Sequence, residues 1–179
     1  MDTLPGLITP AQHAPDDPAS DVPSPAAHPH LERAVALAVD NVTAAGGPFG
    51  AVVVTADGRV FDGVNRVTAT NDPTAHAEVT AIRAACAALG TFDLRGATLW
   101  SSCEPCPMCL SSALWARIET VRFAADRHDA AAAGFDDAVF YDYFDTHPDE
   151  RPMPVRQAPA SAPVAPFDAW RSHAARVDY

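Results

Sequence analysis

The sequence predicts an α/β domain of three layers, with helices on both faces of a mixed sheet. Three observations carry that expectation: strand-like segments alternate with helical periodicities, a hairpin opens the sheet, and later strands are separated by helices. At 179 residues the chain is long enough for one full core and too short for two comfortable ones.

From His30 the apolar positions Leu31, Ala34, Val35, Ala38, Val39 and Val42 follow helical spacing, and Gly46-Gly47-Pro48 ends that helix. Gly50 to Ala56 reads as a strand, Asp57-Gly58 as a tight hairpin turn, and Arg59 to Asn65 as the returning partner. Asn71-Asp72-Pro73-Thr74 is a turn that offers Thr74 as N-cap of a helix running to about Leu89 and Gly90. Ala97 to Ser101 is a short strand. Pro107, at a favoured first-turn position, starts a helix to about Arg117. Thr120 to Ala125 is the next strand, and a helical stretch follows from Phe135. Beyond Pro148 the chain turns proline-rich and regains helical character over Phe167 to Arg176. The expected organisation is a disordered tail over 1–29, a core over 30–148 and a C-terminal arm over 149–179. The tail carries seven prolines, four aspartates and no arginine, too little apolar surface to offset its ordering entropy.

The formal net charge is −11, and all twelve basic residues are arginine. Without lysine there is no Schiff base, no pyridoxal attachment and no phosphate-loop lysine. So acidic a chain is repelled by a phosphate backbone, which disfavours nucleic acid as partner and favours a small, nearly neutral molecule. No apolar run approaches the length of a membrane span. The N-terminus lacks the basic and apolar regions of a signal peptide. Cys103, Cys106 and Cys109 are too close together for an ordinary disulfide framework. The expected setting is the reducing cytoplasm, where clustered thiols more often bind metal.

His76-Ala77-Glu78 and Pro105-Cys106-Pro107-Met108-Cys109 carry the chemistry. One imidazole and two thiolates hold a zinc ion at three corners of a tetrahedron and leave the fourth for water. Cys106 and Cys109 are three apart, roughly 60° around a helix, so both thiols face one point. His76 and Glu78 are two apart, roughly 200° around, and share a target only if it lies beyond the first turn, close to the axis. Both pairs thus place the ion at helix N-termini, where dipoles favour thiolate. Glu78 stands where a carboxylate takes a proton from water and delivers protons to the ring and the leaving nitrogen. This is the pattern of zinc deaminases acting on nucleobases.

Each half is ambiguous alone. His-Ala-Glu is common surface or core sequence, and Cys-x-x-Cys also serves structural zinc or redox chemistry. The repeat of Cys103, Cys106 and Cys109 has iron–sulfur spacing, but it lacks the closing Cys-Pro and leaves His76 and Glu78 without a role. Cys103 is then a structural thiol and Cys86 a core residue.

From about Leu31 to Tyr179 the chain resembles bacterial guanine deaminases of the cytidine and deoxycytidylate deaminase superfamily. The resemblance rests on Gly46-Gly47-Pro48-Phe49-Gly50-Ala51, on Asn71 through Arg83, and on Ser102 through Leu110. Ala133-Gly134-Phe135-Asp136-Asp137 and Pro166-Phe167-Asp168-Ala169-Trp170-Arg171 are the stretches that point to guanine. The resemblance implies a three-layer α/β/α cytidine-deaminase-like fold with a mixed five-stranded sheet. It implies Zn2+ on His76, Cys106 and Cys109, with Glu78 as proton shuttle. Phe49 would stack on the purine, Asn65 would hydrogen-bond its edge, and Trp115 would help wall the pocket. Asp137 would assist the amino group or its departure, with Asp136 as the alternative carboxylate. The family's exchanged C-terminal arm implies a homodimer in which Tyr179 of one subunit closes the other's site. Swapped and unswapped arms look identical in sequence. Ser111-Ser112 and Trp100 depart from the family's usual residues.

The function implied is zinc-dependent hydrolytic deamination of guanine to xanthine and ammonia. Guanosine deamination is the nearest alternative, because plant guanosine deaminases look similar across the same motifs. A tRNA adenosine deaminase would need a basic surface. From a different class, a non-catalytic zinc-stabilised module would recruit a partner through its tail and would lose that binding on removal of residues 1–29.

Overall fold

The computed structural model describes residues 27–178. Most of the expected tail, and Tyr179, lie outside the described residues. Helix α1 spans Pro29–Thr43, with Pro29 in its first turn, where a missing N–H costs no helical bond. Its inward stripe is Ala34, Ala38 and Asn41, while Val35, Val39 and Val42, expected on that face, are exposed. Close approach explains the choice: a Cβ on Gly50 would stand 2.3 Å from Ala34 O, so only small residues fit against the first strand.

That strand, β1 (Gly50–Val54), pairs antiparallel with β2 (Val60–Val64). Thr55 N donates to Arg59 O, and Gly58 takes a φ of 84°. The turn is therefore a three-residue loop, Ala56-Asp57-Gly58, rather than two residues. Strand β3 (Thr98–Cys103) pairs antiparallel with β1, and β4 (Thr120–Ala125) pairs parallel with β3. The order is β2-β1-β3-β4. The mixed sheet has four strands among the described residues, not the five implied by resemblance. After β4 the chain enters helices, and then Pro152, Pro154, Pro159 and Pro163 remove the donors a further ladder would need.

The helices after α1 are a single turn, α2 (Val67–Thr70), then α3 (Ala77–Leu89), α4 (Pro107–Trp115), α5 (Arg127–Ala132), α6 (Ala138–Asp145) and α7 (Ala165–Ser172). Neither α2 nor α5 was expected. Alternation along β1 and β3 gives each face an apolar set. Val52 and Trp100 pack with Ala34 of α1, while Ala51, Val53 and Leu99 pack with Ala81 of α3 and Ala113 of α4. The three layers are those the sequence predicts. No helix among the described residues is long and apolar enough to cross a membrane. At one edge of the sheet β2, β3 and β4 end and β1 begins.

Candidate active site

Helices α3 and α4 start at that edge, and a metal-ligand residue type is the N-cap of each. His76 (φ −67°, ψ 159°) and Cys106 (φ −63°, ψ 168°) are extended, outside their helices. The expected cap, Thr74, belongs instead to the preceding turn, where its N–H and hydroxyl both donate to Asp72 Oδ1. His76 thus escapes the helical spacing that set it opposite Glu78. Neither cap side chain bonds its own helix. Forgoing a cap costs about 0.5–2 kcal/mol. It leaves the positive end of both dipoles directed at the space between the helices.

His76 Nδ1 lies 3.6 Å from Cys106 Sγ and 3.5 Å from Cys109 Sγ. The three ligand atoms fall within 4.8 Å of one another. A tetrahedral ion about 2.3 Å from sulfur and about 2.0 Å from nitrogen separates such ligands by about 3.6 Å. The residues fit zinc. Hydrogen bonds from the Cys109 thiol and from His76 pull the Cys106 thiol down to about 4, against burial. The bond with Cys106, together with burial, pushes Cys109 up, and the Cys106 sulfur raises His76. Two sulfurs that share a proton beside an imidazole are ready to release protons to a divalent cation.

Glu78, in the first turn of α3, is 6% exposed. Its Oε1 accepts from the Ser101 hydroxyl at 3.2 Å, and its Oε2 lies 3.4 Å from Cys109 Sγ. Burial, the largest cause, lifts its carboxyl above the ordinary range.

A cavity of about 370 Å³ opens beside these groups. Phe49, just before β1, meets Phe135 of the α5–α6 loop edge to face, with centroids 5.0 Å apart. Asn65, just after β2, is buried and accepts from Val67 N through Oδ1 at 3.2 Å. Its NH2 group bonds no described residue, and Asn65 lines the cavity. Asp136 and Asp137 both line the cavity, but Asp136 Oδ1 accepts from Ala138 N at 2.9 Å, whereas Asp137, the N-cap of α6, makes no capping bond. Burial and the Cys106 sulfur raise the Asp137 carboxyl, and Arg127 opposes them.

One expectation is corrected within the chain. Trp115 ends α4, is 69% exposed, and lies on a separate shallow surface with Ser111, Leu114 and Arg117. It does not wall this cavity. Six residues past Cys109 it has travelled the length of α4 away from the ligands. Cys103 and Cys86 stay outside the cluster, Cys103 with its thiol donating to Asp126 O at 3.5 Å and Cys86 packed against the core. Ser101, Glu104, Arg127 and Phe135 are the site residues that sequence reasoning gave no role. The capping box of α5, Asp126 with Asp129, was a readable signal for the helix that brings Arg127 in.

A sheet edge where two helix N-termini supply an imidazole, two thiols and a buried carboxylate defines a zinc-dependent deaminase centre. The chain belongs to the cytidine and deoxycytidylate deaminase family, whose zinc-binding region matches residues 26–125, more than half of its length. It is 50% identical to the guanine deaminase of Bacillus subtilis (strain 168) over 150 residues, which are 83% of this chain and 96% of that protein. The crystal structure of guanine deaminase from Bacillus subtilis superimposes with a TM-score of 0.80 at 51% identity, covering 84% of this chain and 96% of that one. A guanine deaminase from Nitrosomonas europaea gives 0.58 at 32% identity, covering 74% and 80%.

Proposed function

We propose that the chain deaminates guanine hydrolytically to xanthine and ammonia, with His76, Cys106 and Cys109 holding the zinc ion. The observation that carries this reading is the convergence of a fitting ligand set and a buried carboxylate on one cavity with aromatic walls. The match over nearly the whole length of a guanine deaminase supports the choice of base.

Zinc, when bound, supplies a Lewis acid that brings the pKa of a water towards neutrality. Glu78 does the proton work. Burial raises its carboxyl, which suits it both to take and to give a proton, and Ser101 fixes one oxygen so that the other faces the ligands. It takes a proton from the attacking water and gives it to a ring nitrogen as the carbon–oxygen bond forms. It then delivers the second proton to the nitrogen that departs as ammonia, when the carbon–nitrogen bond breaks. Phe49 and Phe135 offer flat apolar surface to the base, the Asn65 NH2 donates to its edge, and Asp137 engages the amino group.

The active unit we infer is a homodimer with exchanged arms. Apart from Arg151, every residue from Asp149 to Asp178 is exposed in the single chain, including Phe167 and Trp170 of α7. A helix of eight residues does not persist uncovered in water.

The test offers guanine, guanosine and adenosine to the zinc-loaded protein and follows purine absorbance and ammonia. Guanine is expected to be consumed in preference to both. Glu78→Gln should retain zinc and lose turnover by on the order of 10²–10⁴-fold, because only the proton carrier changes. Substantial activity in that variant contradicts the role given to Glu78.

A further inference from the structure

Glu104 and Arg127 face the cavity, yet neither takes part in the chemistry above. The two parallel strands deliver them side by side. Glu104 follows β3, Arg127 opens α5 just after β4, and Glu104 N donates to Ala125 O at 2.8 Å. The Glu104 carboxylate accepts from Arg127 three times: from the backbone N and Nε at 3.2 Å on Oε2, and from Nη2 at 2.5 Å on Oε1. Held in this way, the guanidinium lies over the Tyr141 ring, its carbon 4.2 Å from the centroid. Tyr141 is one helical turn beyond Asp137, so the two share a face of α6. The Tyr141 hydroxyl is buried and has no hydrogen-bond partner among the described residues. The ring is therefore placed by the cation stacked on its face and not by its polar end.

We propose that Arg127, clamped by Glu104, is a positioning residue that holds α6 over the cavity and so sets the Asp137 carboxylate against the amino group of the substrate. The proposal rests on the part assigned to Asp137 under the proposed function. Arg127 is the one arginine lining the cavity among the described residues. Lysine cannot replace it fully, since a point charge neither forks across a carboxylate nor stacks flat on a ring.

The experiment compares wild type, Arg127→Met, Arg127→Lys, Asp137→Asn and the Arg127→Met/Asp137→Asn double variant, all full-length and zinc-loaded. It reads zinc content, kcat and KM for guanine, and amide hydrogen exchange over Ala138–Asp145. Arg127→Met is expected to keep its zinc and to lose kcat by on the order of 10- to 100-fold, the scale of a misplaced group. KM should stay within about threefold, since the loss belongs to the transition state. Exchange over α6 should accelerate, Arg127→Lys should recover part of kcat, and the double variant should be no worse than Asp137→Asn. Unchanged kcat in Arg127→Met, unaltered α6 exchange, or losses that add in the double variant would overturn the proposal. If Arg127→Met does not fold, Arg127→Lys carries the same readings. A fully active Asp137→Asn would instead remove the role of Asp137, and α6 exchange would still report whether Arg127 holds the helix.

Discussion

Three cysteines recur at intervals of three, yet two of them serve the cluster, and the reason lies in where each backbone stands. Cys103 is still within β3, its thiol turned towards Asp126 O at the N-cap of α5, and burial pushes it up to about 11. Cys106 stands at a helix N-cap beside two donors and is drawn down to about 4. An iron–sulfur arrangement needs all three sulfurs on one centre, and the end of a strand does not allow it. Asn65 shows the same dependence of role on placement. Its Oδ1 already accepts from Val67 N, and its NH2 is the donor left to read a ligand. Asn65→Asp keeps the acceptor for Val67 and replaces the free donor by an acceptor. That variant should fold normally and lose about 10- to 100-fold in kcat/KM for guanine, the value of one buried hydrogen bond left unmade. Unaltered kinetics with a well-folded variant would take Asn65 out of substrate recognition.

At the scale of elements, the site depends on how closely α3 seats on β2. A Cβ on Gly63 would stand 2.3 Å from both Ala77 O and Ala81 N, backbone atoms of the first turns that carry Glu78. Gly63→Ala must push α3 back by roughly 1 Å to reach ordinary contact. We expect a loss of about 1–3 kcal/mol in stability, read by denaturant unfolding, together with weaker zinc binding measured by chelator competition. A variant with normal zinc affinity would show that the position of α3 does not set the ligand geometry. The order and kind of the four strands and of α1, α3, α4, α6 and α7 were legible because valine runs, Gly-Pro breaks and the Pro107 start are local signals. The short helices α2 and α5 were not, since one or two turns leave no periodicity to read. The start of α3 moved from Thr74 to His76 because Thr74 donates to the Asp72 carboxylate, a contact invisible to propensity that captured the presumed cap. The ligand types and Glu78 could be read from spacing. The site at two helix N-termini could be read as well, but the pairing of Glu104 with Arg127 could not, because it depends on which strand ends lie side by side.

For the whole molecule, the open question is what covers the arm. With a formal charge of −11 and a C-terminal segment that leaves Phe167 62% exposed, the single chain looks unfinished. Composition could announce the arm but could not say on whose core it rests, since the same apolar residues serve either case. Subunit mixing separates the two. Tyr179→Ala keeps a complete zinc centre with an altered arm, whereas Glu78→Gln keeps a complete arm with a silent centre. If arms are exchanged, a mixed dimer pairs the sound centre of one subunit with the sound arm of the other. Random pairing then gives about a quarter of all sites both a sound centre and a sound arm, although each parent alone is poorly active. If each arm closes its own centre, no pairing brings the two sound halves together, and mixing should give no more than the average of the parents. Refolding an equimolar mixture and measuring guanine turnover decides between them. A gain over that average places the arm on the partner's core, and its absence, with dimers formed, returns the arm to its own.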